Sequence, residues 1–96
     1  VSERGEAKRI NAKLHKNSGR NYTKGDATWN NYVVDFKEYA KSFTLSQDVW
    51  AKVVTDCMKV DRQKSPAIIL VLGEGNKKVR LAVVELDELE RLINNE

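Results

Sequence analysis

The sequence predicts an α/β or α+β sandwich, a mixed central sheet of about five strands flanked by helices. Three observations carry this. Ala67–Leu72 is an unbroken apolar run, the pattern of a strand buried on both faces. Two longer stretches space their apolar residues at three and four, the helical period. Turn signals separate these segments and leave no linker, repeat or low-complexity tract, so residues 1–96 form one domain.

The first helix is expected over residues 3–15. Glu3, Ala7, Ile10 and Leu14 follow 4-3-4 spacing and fall on one stripe. Ser2 is placed to cap it. Residues 16–25 are a polar loop with two glycines. Asp26–Thr28 begins a strand, residues 29–31 turn it, and Tyr32–Lys37 return it; Asn30-Asn31 suits the turn because Asn tolerates left-handed backbone. Phe43–Leu45 is expected as a third short strand. Ser46 caps a second helix from Gln47 to Lys59, with Val49, Val53, Cys57 and Val60 on one stripe and Trp50, Val54 and Met58 beside it. After Ala67–Leu72, Gly73-Glu74-Gly75-Asn76 is expected as a hairpin turn. Val79–Glu85 forms the last strand, with Arg80 facing solvent. Asp87-Glu88-Leu89-Glu90 has capping-box spacing and opens a final helix to Asn94.

Composition narrows the function. The chain is 41% hydrophobic and 32% charged, and no apolar run approaches the roughly 18 residues of a membrane span. The first residues are polar, without the apolar stretch of a signal peptide. The single cysteine, Cys57, forms no internal disulfide, and there is no Cys/His cluster for zinc. A cytoplasmic setting and no membrane partner are therefore expected. The net charge is +3, and Arg4, Lys8, Arg9, Lys13, Lys16, Arg20 and Lys24 crowd the first quarter. Such a segment suits phosphate contact, and equally a solvated helix face.

The chemistry-bearing stretch runs from Lys24 to Lys37. In a strand alternate side chains share a face, so Asp35 and Lys37 point one way and Phe36 the other. Magnesium prefers oxygen ligands and keeps several waters, so two carboxylates suffice. Asp26 and Asp35 would supply them, with the Phe36 carbonyl as a third oxygen. Lys37 beside them would orient the attacking water or stabilise charge on phosphorus. Glu3 is the candidate for an extra carboxylate, since it lies on the inward stripe of the first helix and an inward carboxylate is costly unless paired or metal-bound. Glu6, about 60° off that stripe, is the alternative. A same-face Asp and Lys on an exposed strand also form an ordinary ion pair worth under about 1 kcal/mol.

Taken in order, these pieces resemble the PD-(D/E)xK nuclease superfamily, especially its small archaeal and phage Holliday-junction-resolvase-like members. The resembling series is a helix bearing glutamate, Ser18-Gly19-Arg20, Lys24-Gly25-Asp26, a hairpin, Asp35-Phe36-Lys37, then Lys41-Ser42-Phe43-Thr44-Leu45 before a helix with tryptophan and lysine, and Pro66-Ala67-Ile68-Ile69-Leu70-Val71. The family's proline before the first aspartate is Gly25 here, and Asp35 stands where Glu is more frequent. The resemblance implies a restriction-endonuclease-like core. It implies a magnesium-dependent endodeoxyribonuclease, a hydrolase of branched DNA in recombination, with manganese as a substitute. By resemblance Glu3, Asp26 and Asp35 are metal ligands and Lys37 is the catalytic lysine. Ser18, Arg20, Lys24, Ser42 and Thr44 would contact the scissile or flanking phosphates, and the protein would work as a homodimer. Two alternatives stay open: a nuclease of the same superfamily that nicks or cuts duplex, and a non-catalytic nucleic-acid-binding domain.

Overall fold

The computed structural model describes residues 13–14 and 26–95. It is a mixed α+β fold with an open sheet. Along the chain come β1 (Lys13–Leu14), β2 (Asp26–Trp29), β3 (Tyr32–Tyr39), α1 (Gln47–Val60), β4 (Ser65–Leu72), β5 (Val79–Val83) and α2 (Leu86–Asn94). Four strands, β2 to β5, have ordinary length. The two-residue β1 ladders onto β2 at one edge, and the spatial order is β1-β2-β3-β4-β5.

β2 and β3 are an antiparallel hairpin. Asn30 takes φ 54 in its two-residue turn, the left-handed conformation that Asn accepts at small cost. β3 runs parallel to β4 over eight register pairs, from Tyr32↔Ser65 to Tyr39↔Leu72. A parallel pair needs a crossover, and α1 supplies it. The Ser46 hydroxyl accepts the Val49 N–H at 3.1 Å and fixes where α1 starts. β5 returns antiparallel beside β4.

The sheet buries both faces. On one, Val53 of α1 packs with Ile68 and Leu70, joined by Phe43, Trp50, Leu72 and Val83. On the other lie Ala27, Val34, Phe36, Ala67, Ile69 and Val71, with Trp29, Tyr32 and Val84 packed against them. β4 therefore reads as a continuous apolar run because it has no polar side. The Tyr32 hydroxyl donates to Glu88 and ties the first turn of α2 to the start of β3.

Several expectations need correction. Lys13–Leu14 are extended and paired with Thr28 and Ala27, so a helix does not run to residue 15; the open edge of β2 captures this backbone instead. The rest of the expected first helix lies outside the described residues. Phe43–Leu45 is not a strand. It lies in the crossover from β3 to α1, where Phe43 packs against Val53, Ile68 and Leu70 and stacks on Tyr39 at 5.2 Å. The β4–β5 connection is longer than a tight hairpin turn and holds one 3-10 turn, Gly75–Lys77, with Gly73 at φ 107. α2 begins at Leu86 after Glu85, without a side-chain cap, so the Asp87 capping box does not form. Met58 and Val60, assigned to the apolar face of the second helix, are half or more than a third exposed, because α1 rests on β4 and β3 through Val53 and Cys57.

Candidate active site

The site is built from the hairpin. Val34 and Phe36 are buried on one face of β3, so the alternation sends Asp35 and Lys37 to the face where α1 packs. A two-residue turn sets the register, and that register puts Asp26 directly across the ladder from Asp35. Opposite positions in an antiparallel pair share a face with Cα atoms about 4.5–5.5 Å apart. Asp26↔Asp35 is the last β2–β3 pair among the described residues, and Phe36 follows it on β3. Its ring is in the core.

Lys37 Nζ lies 3.1 Å from Asp35 Oδ2, with side chains 23% and 17% exposed. A lysine so close should hold the carboxyl below its usual range. Instead, burial under α1 pushes the Asp35 pKa up, and Lys37 offsets only part of that desolvation. The Lys37 ammonium also lies 5.8 Å from the centre of the Phe43 ring, which stacks on the ring of Tyr39. Lys37 is thus steered by a carboxylate and by an aromatic face together.

Two residues on α1 reach this field, and sequence reasoning missed one of them. Asp56 raises the Asp35 pKa by its charge, and Lys52 lowers it. The two are themselves paired at 3.1 Å. Lys52 is 72% exposed yet still felt by Asp35. The signal for Asp56 was present: it lies three residues after Val53 and one before Cys57, the two buried residues of α1.

Ser42 and Thr44 are exposed on either side of Phe43, in the segment leading to α1. Glu3, Glu6, Ser18, Arg20 and Lys24 lie outside the described residues, as does the side chain of Asp26. Among the described residues no group of three or more His, Cys, Asp or Glu side chains could hold a metal ion. What the described positions provide for a hard cation is one half-buried carboxylate and a second aspartate position across the ladder. That donor chemistry fits magnesium, which needs few protein ligands.

A separate cleft of about 510 Å³ opens at the C-terminal ends of β3 and β4. It is lined by Glu38, Tyr39, Gly73, Glu74, Asn76 and Lys78, with the Lys78–Glu38 pair at 3.0 Å in its wall. Tyr39 borders it and stacks on the Phe43 ring, so the cleft adjoins the shelf beside Lys37.

No helix among the described residues is long and apolar enough to cross a membrane. No family model, curated protein or solved structure matches the chain.

Proposed function

We propose that this chain is a divalent-metal-dependent endodeoxyribonuclease that hydrolyses phosphodiester bonds, with branched DNA as its substrate. One observation carries the reading: Asp26 stands across the ladder from Asp35, and Lys37 lies 3.1 Å from the Asp35 carboxylate on the same strand face. A magnesium ion bound there would polarise a phosphoryl oxygen and acidify a bound water. Asp26, Asp35 and the Phe36 carbonyl would hold it. Lys37, released from Asp35 once a cation takes the carboxylate, would orient the attacking water or meet the developing charge on phosphorus. The raised pKa of Asp35 supports this role, because a carboxylate desolvated without full compensation gains more than an ordinary one from a cation. The exposed Ser42 and Thr44 would contact flanking phosphate, which positions the backbone without reading sequence. The restriction-endonuclease-like core, the preference for branched DNA and the homodimer rest on the resemblance of the ordered motifs.

The test uses a four-way junction, a matched duplex and a single strand, each with magnesium and with EDTA. Magnesium-dependent scission of the junction is expected, abolished in Asp35→Asn and Lys37→Ala. Cutting of duplex alone would move the reading to a nicking or duplex nuclease. No scission of any substrate would remove it. A second reading is favoured by the Asp35–Lys37 pair itself, which neutralises both groups as a structural ion pair does. A non-catalytic nucleic-acid-binding domain would retain DNA in a salt-dependent way. Its affinity would not respond to calcium, whereas the nuclease reading expects calcium to raise affinity and Asp26→Ala to abolish that rise.

A further inference from the structure

A fixed turn forms one side of the cleft at the C-terminal ends of β3 and β4. The Gly73 N–H donates to the Tyr39 carbonyl at 3.0 Å and ties the turn to the end of β3. Gly73 takes φ 107, and a Cβ there would lie 2.7 Å from the Lys77 carbonyl oxygen, so only glycine closes this turn. The cleft of about 510 Å³ falls within the roughly 300–1,000 Å³ of small-ligand sites. Two carboxylates, Glu38 and Glu74, line it against one ammonium, Lys78, so it repels a phosphate. The side chains of Lys78 and Glu38 are only 11% and 20% exposed, and among the described residues each is the other's one partner. Lys78 binds Glu38 Oε2, which leaves Oε1 and two ammonium protons to whatever enters the cleft. Tyr39 adds an aromatic surface that is 42% exposed although its ring stacks on Phe43. Such a lining takes a flat, uncharged group with donors and acceptors on its edge.

We infer that the cleft receives one unpaired nucleobase of the DNA strand whose phosphate lies at Lys37. This deepens the proposed function and rests on its DNA substrate. Lys37 and Tyr39 share a face of β3 two residues apart, about 6.6 Å along the strand, close to the reach of a single nucleotide. The Lys37 ammonium stands over the Phe43 ring and Tyr39 stacks on that ring, so one shelf leads from the phosphate to the cleft. The base stacks against Tyr39. Its edge donates to Glu38 Oε1 and accepts from the Lys78 ammonium. Every base has a π-face and a neighbouring donor and acceptor, so the cleft tolerates any sequence. A base leaves the helical stack most cheaply where it is already unpaired. The cleft thereby favours a branch point over continuous duplex without reading sequence.

The test reads binding, with EDTA present so that no strand is cut. Amide resonances of the full chain are followed as each of the four deoxynucleoside 5′-monophosphates is added, with deoxyribose 5-phosphate as the control. Every nucleotide should shift Tyr39, Gly73 and residues 75–77, and the control should leave them in place. A duplex carrying one unpaired nucleotide should bind roughly fivefold tighter than the matched duplex, the worth of one base–aromatic stack. Tyr39→Ala should erase that difference. If Tyr39→Ala does not fold, Asn76→Trp, which fills the cleft from its exposed rim, should erase it instead. No nucleotide shift at the cleft, equal shifts from the sugar phosphate, or equal affinity for the two duplexes overturns the inference. Magnesium-dependent scission without nucleotide binding at the cleft removes this inference alone. Nucleotide binding at the cleft without scission of any substrate removes the nuclease reading alone.

Discussion

Asp35 occupies a position that works against the fold. Its side chain is 17% exposed beneath α1, and desolvation outweighs the nearby Lys37, so its pKa stands above the ordinary carboxylate value. A group whose folded pKa is raised contributes stability below its unfolded pKa and loses that contribution as pH rises through the raised value. At neutral pH the ionised Asp35 is therefore a net cost. Asp35→Asn should raise the melting temperature at pH 7, and the gain should shrink as pH falls through the raised value and be gone below the ordinary aspartate value, where the side chain is neutral in folded and unfolded protein alike. Thermal melts of both proteins across that range check this. A variant less stable than the native protein at pH 7 would show that the Lys37 pair outweighs burial. Lys37→Ala should push the Asp35 pKa higher still, read from the carboxyl carbon resonance.

At the scale of elements, the locally encoded pieces were legible. The Asn30-Asn31 turn, the Ser46 cap and the apolar β4 each depend on a few neighbouring residues, and each forms where its chemistry points. Ser46 gives α1 its entry point for one hydrogen bond, so Ser46→Ala should cost about 1 kcal/mol, seen as a lower urea midpoint with an unchanged slope. Elements that depend on a distant partner were less legible. Phe43–Leu45 has the composition of a strand, but tertiary packing claims it: the Phe43 ring joins the core under α1 and serves the Tyr39 and Lys37 contacts. Lys13–Leu14 satisfy a helical stripe in sequence yet lie along β2, because an unpaired strand edge offers hydrogen bonds that periodicity does not report. Asp87 has the right spacing for a capping box, but Glu88 is engaged with Tyr32 and Arg91 and the helix starts earlier.

For the whole molecule, β4 is the axis of the fold. It pairs with β3 and β5 and contributes to both buried faces. Ile68 is fully buried between Val53 of α1 and the β3 position of Asp35, its register partner. Ile68→Ala should cost about 2–5 kcal/mol by urea unfolding, and it should also loosen the cover over Asp35, lowering the pKa that burial raises. A destabilised variant in which that pKa does not move would show that α1 and β4 do not jointly desolvate the site. By itself the sequence determined the alternation that separates Asp35 and Lys37 from Phe36, the turn between β2 and β3, and the buried run of β4, since each follows from side-chain periodicity or backbone preference over a few residues. Only the tertiary structure decided that α1 covers Asp35 and brings Asp56 and Lys52 into its field, and that β5 ends the sheet among the described residues. Those depend on which surfaces meet, and desolvation and edge exposure have no value until they do.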